Sequence, residues 1–89
     1  MKISILISKK EGIKVCPDDY KIGWLYQDDK EAYWSVWGSC KDFKAALKCA
    51  RDTINKKGEK EVYLSSILLD KHLTLEQMLN LENITESFK

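Results

Sequence analysis

Residues 20–57, YKIGWLYQDDKEAYWSVWGSCKDFKAALKCARDTINKK, decide the fold. Two runs rich in aromatic and β-branched residues, 20–27 and 32–38, flank the polar group Asp28-Asp29-Lys30-Glu31. That is the pattern of a hairpin. A short turn pairs Gln27 with Ala32. Tyr26 then faces Tyr33, Leu25 faces Trp34, Trp24 faces Ser35, Gly23 faces Val36 and Ile22 faces Trp37. Side chains alternate along a strand, so two faces separate. One carries Gly23, Leu25, Ala32, Trp34 and Val36. The other carries Tyr20, Ile22, Trp24, Tyr26, Tyr33, Ser35 and Trp37. A turn longer or shorter by one residue exchanges the faces of one strand, so the split depends on the turn.

A helix follows directly, predicted over 40–56. Ser39 and Asp42 have the spacing of a capping box, with Asp in place of the usual Glu or Gln. Cys40, Phe43, Leu47, Ala50 and Ile54 recur at steps of three and four, widened by Ala46, and form one apolar face. Gly58 after Lys56-Lys57 suits a left-handed C-cap, and the lysines suit the negative end of the helix dipole. At about 1.5 Å per residue the helix is roughly 25 Å long, enough to cross a small sheet. The expected packing sets it against Leu25, Trp34 and Val36.

Outward from this core, 2–9 reads as a strand in which Ile3, Ile5 and Ile7 alternate with Ser4, Leu6 and Ser8. Lys10-Glu11-Gly12 reads as a three-residue hairpin loop leading to a second strand with Ile13 and Val15. Cys16-Pro17-Asp18-Asp19 reads as a corner. Residues 61–66 read as a further strand. The run Ile67-Leu68-Leu69 fits a strand end or a buried turn. Thr74-Leu75-Glu76-Gln77 has full capping-box spacing, and Leu73 with Met78 fits a hydrophobic staple. A short helix 75–81 is expected there, burying Leu75, Met78 and Leu79. Residues 83–89 are expected to fray, with Phe88 as a possible anchor. The predicted class is α+β, an antiparallel sheet of four or five strands in the order ββββαβα, with the long helix on one face and a short C-terminal helix.

Eighty-nine residues predict a single domain, 1–89. Fifteen basic and fourteen acidic residues give a formal charge of +1, so no strong global attraction to nucleic acid or anionic membranes is expected. No apolar run approaches the roughly 18 residues of a membrane span. The N-terminus shows no secretory pattern. Three cysteines, Cys16, Cys40 and Cys49, cannot all pair, so a reducing cytoplasm is the expected compartment.

No cofactor or metal is expected. The single histidine, His72, and three scattered cysteines do not make the paired spacing of a zinc site. Cys40 lies on the apolar stripe, where cysteine behaves as a small hydrophobe. Cys49 lies off it, near Lys48 and Arg51, and a nucleophilic role needs His72 to fold back as its base. The pairs Asp18-Asp19 and Asp28-Asp29 fall in turns, which explains them without acid–base work. There is no glycine-rich phosphate cradle. No catalytic constellation emerges, and the expectation is a protein that is not an enzyme.

Two features exceed what folding requires. Lys41, Lys44, Lys48 and Arg51 repeat at three, four and three, flanking the apolar stripe. Such a row can follow a phosphate backbone. The simpler reading, and the one preferred, is a solvated helix flank diluted by Asp42 and Asp52. The second feature is the aromatic face: Tyr20, Trp24, Tyr26, Tyr33 and Trp37. A small protein rarely leaves so much apolar area wet. The first strands fold over it as core, or it binds a partner or a second copy, or bases stack on it.

Trp34, Val36, Gly38, Phe43, Ala46, Leu47 and Ala50 lie in a hairpin, a Trp-x-Val strand, a glycine and a capped helix. This order is similar to the small ββα unit of HicB-type antitoxins. The likeness covers less than half of the chain and uses packing positions, so no functional residue carries over, and the second helix departs from that pattern. It implies binding to a toxin partner and oligomeric assembly. Small size with abundant Lys and Ile suits a phage or mobile-element protein. The expected function is therefore a small interaction protein, an inhibitor, antitoxin-like or accessory factor, binding a protein partner as a homodimer. The alternative is an RNA or single-stranded DNA binder using the basic row and the aromatics.

Overall fold

The computed structural model describes residues 2–9, 20–66 and 69–88. The expected 10–12 loop, the strand with Ile13 and Val15, the corner with Cys16, Asp18 and Asp19, and residues 67–68 lie outside the described residues, as does the side chain of Phe88. The elements are β1 (Lys2–Lys9), β2 (Tyr20–Gln27), β3 (Ala32–Cys40), α1 (Phe43–Lys57), β4 (Val62–Ser65), β5 (His72–Leu73), α2 (Leu75–Leu79), β6 (Glu82–Asn83) and a 3-10 turn, Thr85–Phe88.

The β2–β3 hairpin turns where the polar group stands. Asp28 Oδ1 accepts the N–H groups of Lys30 and Glu31 at 2.8 and 2.7 Å, the Asx-turn chemistry that makes aspartate a turn former. The register matches the expectation from Gln27↔Ala32 to Gly23↔Val36. It then shifts, because Ile22 pairs with Gly38 and not with Trp37. Trp37 is the extra residue of a β-bulge. β3 continues to Cys40, so the helix does not begin there. Its N-cap is Asp42, whose Oδ1 accepts the Ala45 N–H at 2.7 Å, and Ser39 stays in the strand. Gly58 closes α1 with φ 90°, its N–H on the Ile54 carbonyl at 2.9 Å.

The sheet has six strands in the order β5-β3-β2-β1-β4-β6 among the described residues. It is mixed, not antiparallel, because β4 pairs parallel to β1. β1 and β3 are both antiparallel to β2 and so run the same way. The chain thus leaves β3, crosses β2 and β1 as α1, and returns parallel as β4. A helical crossover is the usual link between parallel strands.

The helix covers the face opposite to the expected one. Ile5, Ile7, Ile22, Cys40 and Val62 form a buried cluster with Ala46 and Ala50 of α1; Tyr20 and Trp24 pack partly against it. The alanines let the helix backbone sit close to the isoleucine layer. The face with Leu6, Leu25, Ala32 and Trp34 is instead closed by Leu69 and Leu73, with Met78, Leu81 and Tyr63 against it. A sheet buried on both sides explains why Ser4 to Ser8 are all buried in β1.

Two C-terminal expectations change. The Thr74 capping box forms in full, with Thr74 Oγ1 accepting from Gln77 N–H and Gln77 Oε1 from Thr74 N–H. Yet α2 ends at Leu79, and Leu75 and Leu79 are 69% and 77% exposed. Leu73 before the helix and Leu81 after it dock the segment, so Met78 is the helix's contact with that core. Residues 82–85 do not fray. β6 pairs with β4, the Ile84 N–H donates to the Val62 carbonyl at 2.9 Å, and the Val62 N–H donates to Thr85 Oγ1 at 3.0 Å. Among the described residues no helix is long and apolar enough to cross a membrane.

Candidate interaction surface

Four of the five aromatic residues singled out in the sequence stay together on the α1 side of the sheet. Trp24 and Trp37 have ring centroids 6.1 Å apart, and Tyr26 and Tyr33 6.4 Å. Strand register extends the second pair into a row. Ile3 lies opposite Tyr26, Tyr26 opposite Tyr33, and Tyr33 opposite His72, whose ring meets Tyr33 at 5.4 Å. The fifth residue, Tyr20, is committed elsewhere: it packs on Phe43 at the start of α1, 5.7 Å between centroids.

The helix thus covers the Ile7–Ile22 end of this face and leaves the Ile3–Tyr26–Tyr33 end open. Ile3, Tyr33 and Trp37 are 41%, 38% and 42% exposed, while Trp24 and Tyr26 are half-buried. Ile3 and His72 were missed in the sequence. Aligning the Ile3-Ile5-Ile7 alternation with Ile22-Trp24-Tyr26 would have placed Ile3 in the row.

The same strand offers a second feature. β5 pairs with β3 only at Ala32 and Tyr33, and the Trp34 N–H donates to the Lys71 carbonyl at 2.7 Å. Among the described residues no strand pairs with the outer edge of β3 beyond that point. The Trp34 N–H aims outward, so the alternation of an antiparallel strand aims the backbone groups of Val36 outward too. The Val36 side chain is 44% exposed.

Lys41, Lys44, Lys48 and Arg51 are all exposed, but Lys41 precedes the Asp42 cap, so only Lys44, Lys48 and Arg51 stand on α1 and the expected helical row of four is a row of three. Lys44, Lys48 and Arg51 line a shallow concavity of about 550 Å³ with Asp42 and with Ser87 of the C-terminal turn. That turn follows β6, at the other end of the sheet from β3 and β5. None of the residues lining that concavity belongs to the open aromatic row.

The remaining candidates separate. His72 meets Tyr33, whereas the Cys49 sulfur meets the Cys40 sulfur at 3.7 Å, so His72 is not placed as the base that a nucleophilic Cys49 would need. Among the described residues no three His, Cys, Asp or Glu side chains converge as metal ligands. The Asp28 carboxyl is held below its ordinary range by the N–H groups of Lys30 and Glu31, as its turn role requires. No family model, curated protein or solved structure matches the chain.

Proposed function

We propose that this chain is a small non-enzymatic interaction protein of the cytoplasm that acts by binding a protein partner and self-associates as a homodimer. An inhibitor or accessory role of the antitoxin kind fits such a molecule. One observation carries the reading: Tyr33 and Trp37 are exposed on one face of β3 and Val36 on the other, and among the described residues no strand pairs with the outer edge of β3 beyond Trp34. Trp and Tyr are favoured interface anchors. An open edge adds main-chain hydrogen bonds, as in β-augmentation. Pairing β3 with its own copy across a two-fold axis satisfies both at once.

Base stacking on Tyr33 and Trp37 draws less support, because the concavity that Lys44, Lys48 and Arg51 line includes neither ring. The test is solution mass by light scattering, with far-UV circular dichroism as the folding control. The wild type is expected to be a dimer. Tyr33→Ser with Trp37→Ser should give a folded monomer, since both rings are exposed in the monomer. A wild type that stays monomeric at high micromolar concentration sinks the homodimer. A shift of a labelled oligonucleotide at low salt, lost on raising salt, would favour the nucleic-acid alternative.

A further inference from the structure

We propose that Cys40 and Cys49 form a dithiol site that a small-molecule disulfide oxidises to an intramolecular disulfide. Cys40 ends β3 and is buried; Cys49 lies in α1 and is partly exposed. Their sulfurs are 3.7 Å apart, in S–H···S contact. A disulfide bond needs about 2.05 Å. The remaining approach is under about 2 Å, within reach of side-chain rotation at two residues. Both side chains already point into the same layer between helix and sheet.

The difference in burial sets the order of events. The Cys49 thiolate, reachable from solvent, attacks one sulfur of oxidised glutathione. The reagent's S–S bond breaks, and one glutathione leaves as thiolate and takes up a proton. The buried Cys40 thiolate then attacks the Cys49 sulfur of the mixed disulfide and expels the second glutathione. The protein loses two hydrogens, two glutathione thiols appear, and the step consumes one disulfide with no other oxidant. The product ties α1 to the end of β3 across the short segment between them.

Trypsin tests this cleanly, because Lys14, Lys21, Lys30, Lys41, Lys48 and Arg51 place Cys16, Cys40 and Cys49 in three different peptides. The reduced full-length protein is treated with oxidised glutathione and mapped without reduction. The expected result is a link between the peptides of residues 31–41 and 49–51, with the monomer mass otherwise retained. The melting temperature should rise by ~5–10 °C and return on adding dithiothreitol. Cys40→Ser should stall at a glutathione adduct on Cys49, and Cys49→Ser should leave Cys40 unmodified. Links through Cys16, links between chains, or no link at all overturn the proposal. The wild-type map decides the matter even if a variant folds poorly.

Discussion

At Gly23, β2 lies against the backbone of β3. A Cβ placed there lies 2.2 Å from the Ser35 carbonyl oxygen and 2.6 Å from the Val36 Cα. Both neighbours are backbone, so no rotamer change relieves the clash. Gly23 stands beside the bulge that makes Trp37 the extra residue, and the close approach and the bulge are one local arrangement. Gly23→Ala must push β2 from β3 and is expected to cost about 2–3 kcal/mol, read as a lower urea midpoint. A loss below ~0.5 kcal/mol would mean that the strands part freely at this point. The sequence reading placed Gly23 opposite Val36 correctly, because the Asp28 turn fixes the count from one end. It placed Ile22 opposite Trp37 incorrectly, because a period of two counts every residue alike and cannot anticipate an inserted one.

Among the elements, caps were legible where the side chain that makes the bond is the nearest candidate. Thr74 and Gln77 formed their box, and Gly58 took its positive φ. Ser39 lost to Asp42 because β3 pairs with β2 as far as Cys40, which keeps Ser39 in the ladder. The parallel β1–β4 contact was not legible, since no local pattern reports which strand a crossover returns to. Its open end carries a clasp: Lys2 Nζ meets Glu61 Oε2 at 2.5 Å and the Tyr63 hydroxyl at 3.0 Å, and that hydroxyl bonds Glu61 as well. The Lys2 ammonium, and then Tyr63, holds the Glu61 carboxyl below its ordinary value of 4.5. Glu61, and then Tyr63, holds Lys2 above 10.5. The Glu61 contribution is therefore present above the ordinary carboxylate value and fades as pH falls through the lowered one. The Lys2 contribution is whole below 10.5 and fades as pH rises through the raised one. The side chains are 50% and 41% exposed, so solvent screening leaves less than about 1 kcal/mol. Glu61→Gln should melt slightly lower than the wild type at neutral pH and low salt. The gap should close in molar salt and well below the carboxylate range; a gap that persists in acid would assign the effect to packing.

For the molecule as a whole, the sheet has two covers of unequal weight. α1 is a continuous helix of fifteen residues over the isoleucine layer. The other cover, among the described residues, is Leu69, the five-residue helix through Met78, and Leu81, packed over Leu6, Leu25 and Trp34 beside Leu73 of the edge strand β5. Under it, the Ser4 hydroxyl and the Trp34 indole N–H are buried and find no hydrogen-bond partner among the described residues. This division explains why the aromatic site was half legible. The alternation of Trp24, Tyr26, Tyr33 and Trp37 put them on one face, but a sheet buried on both sides gives no local sign of which face the long helix takes. The second cover should then depend on Leu73, which is buried against Trp34's cluster, and not on the helix surface that follows it. Leu73→Ala is expected to cost about 2–4 kcal/mol, the range for emptying a buried leucine site. Leu79→Ala, at an exposed position, should stay within about 0.5 kcal/mol. Chemical denaturation of the two variants under conditions that hold the oligomeric state fixed separates them. If Leu79→Ala proves the more damaging, α2 must pack through its Leu75–Leu79 side, and the division of the sheet into these two covers fails.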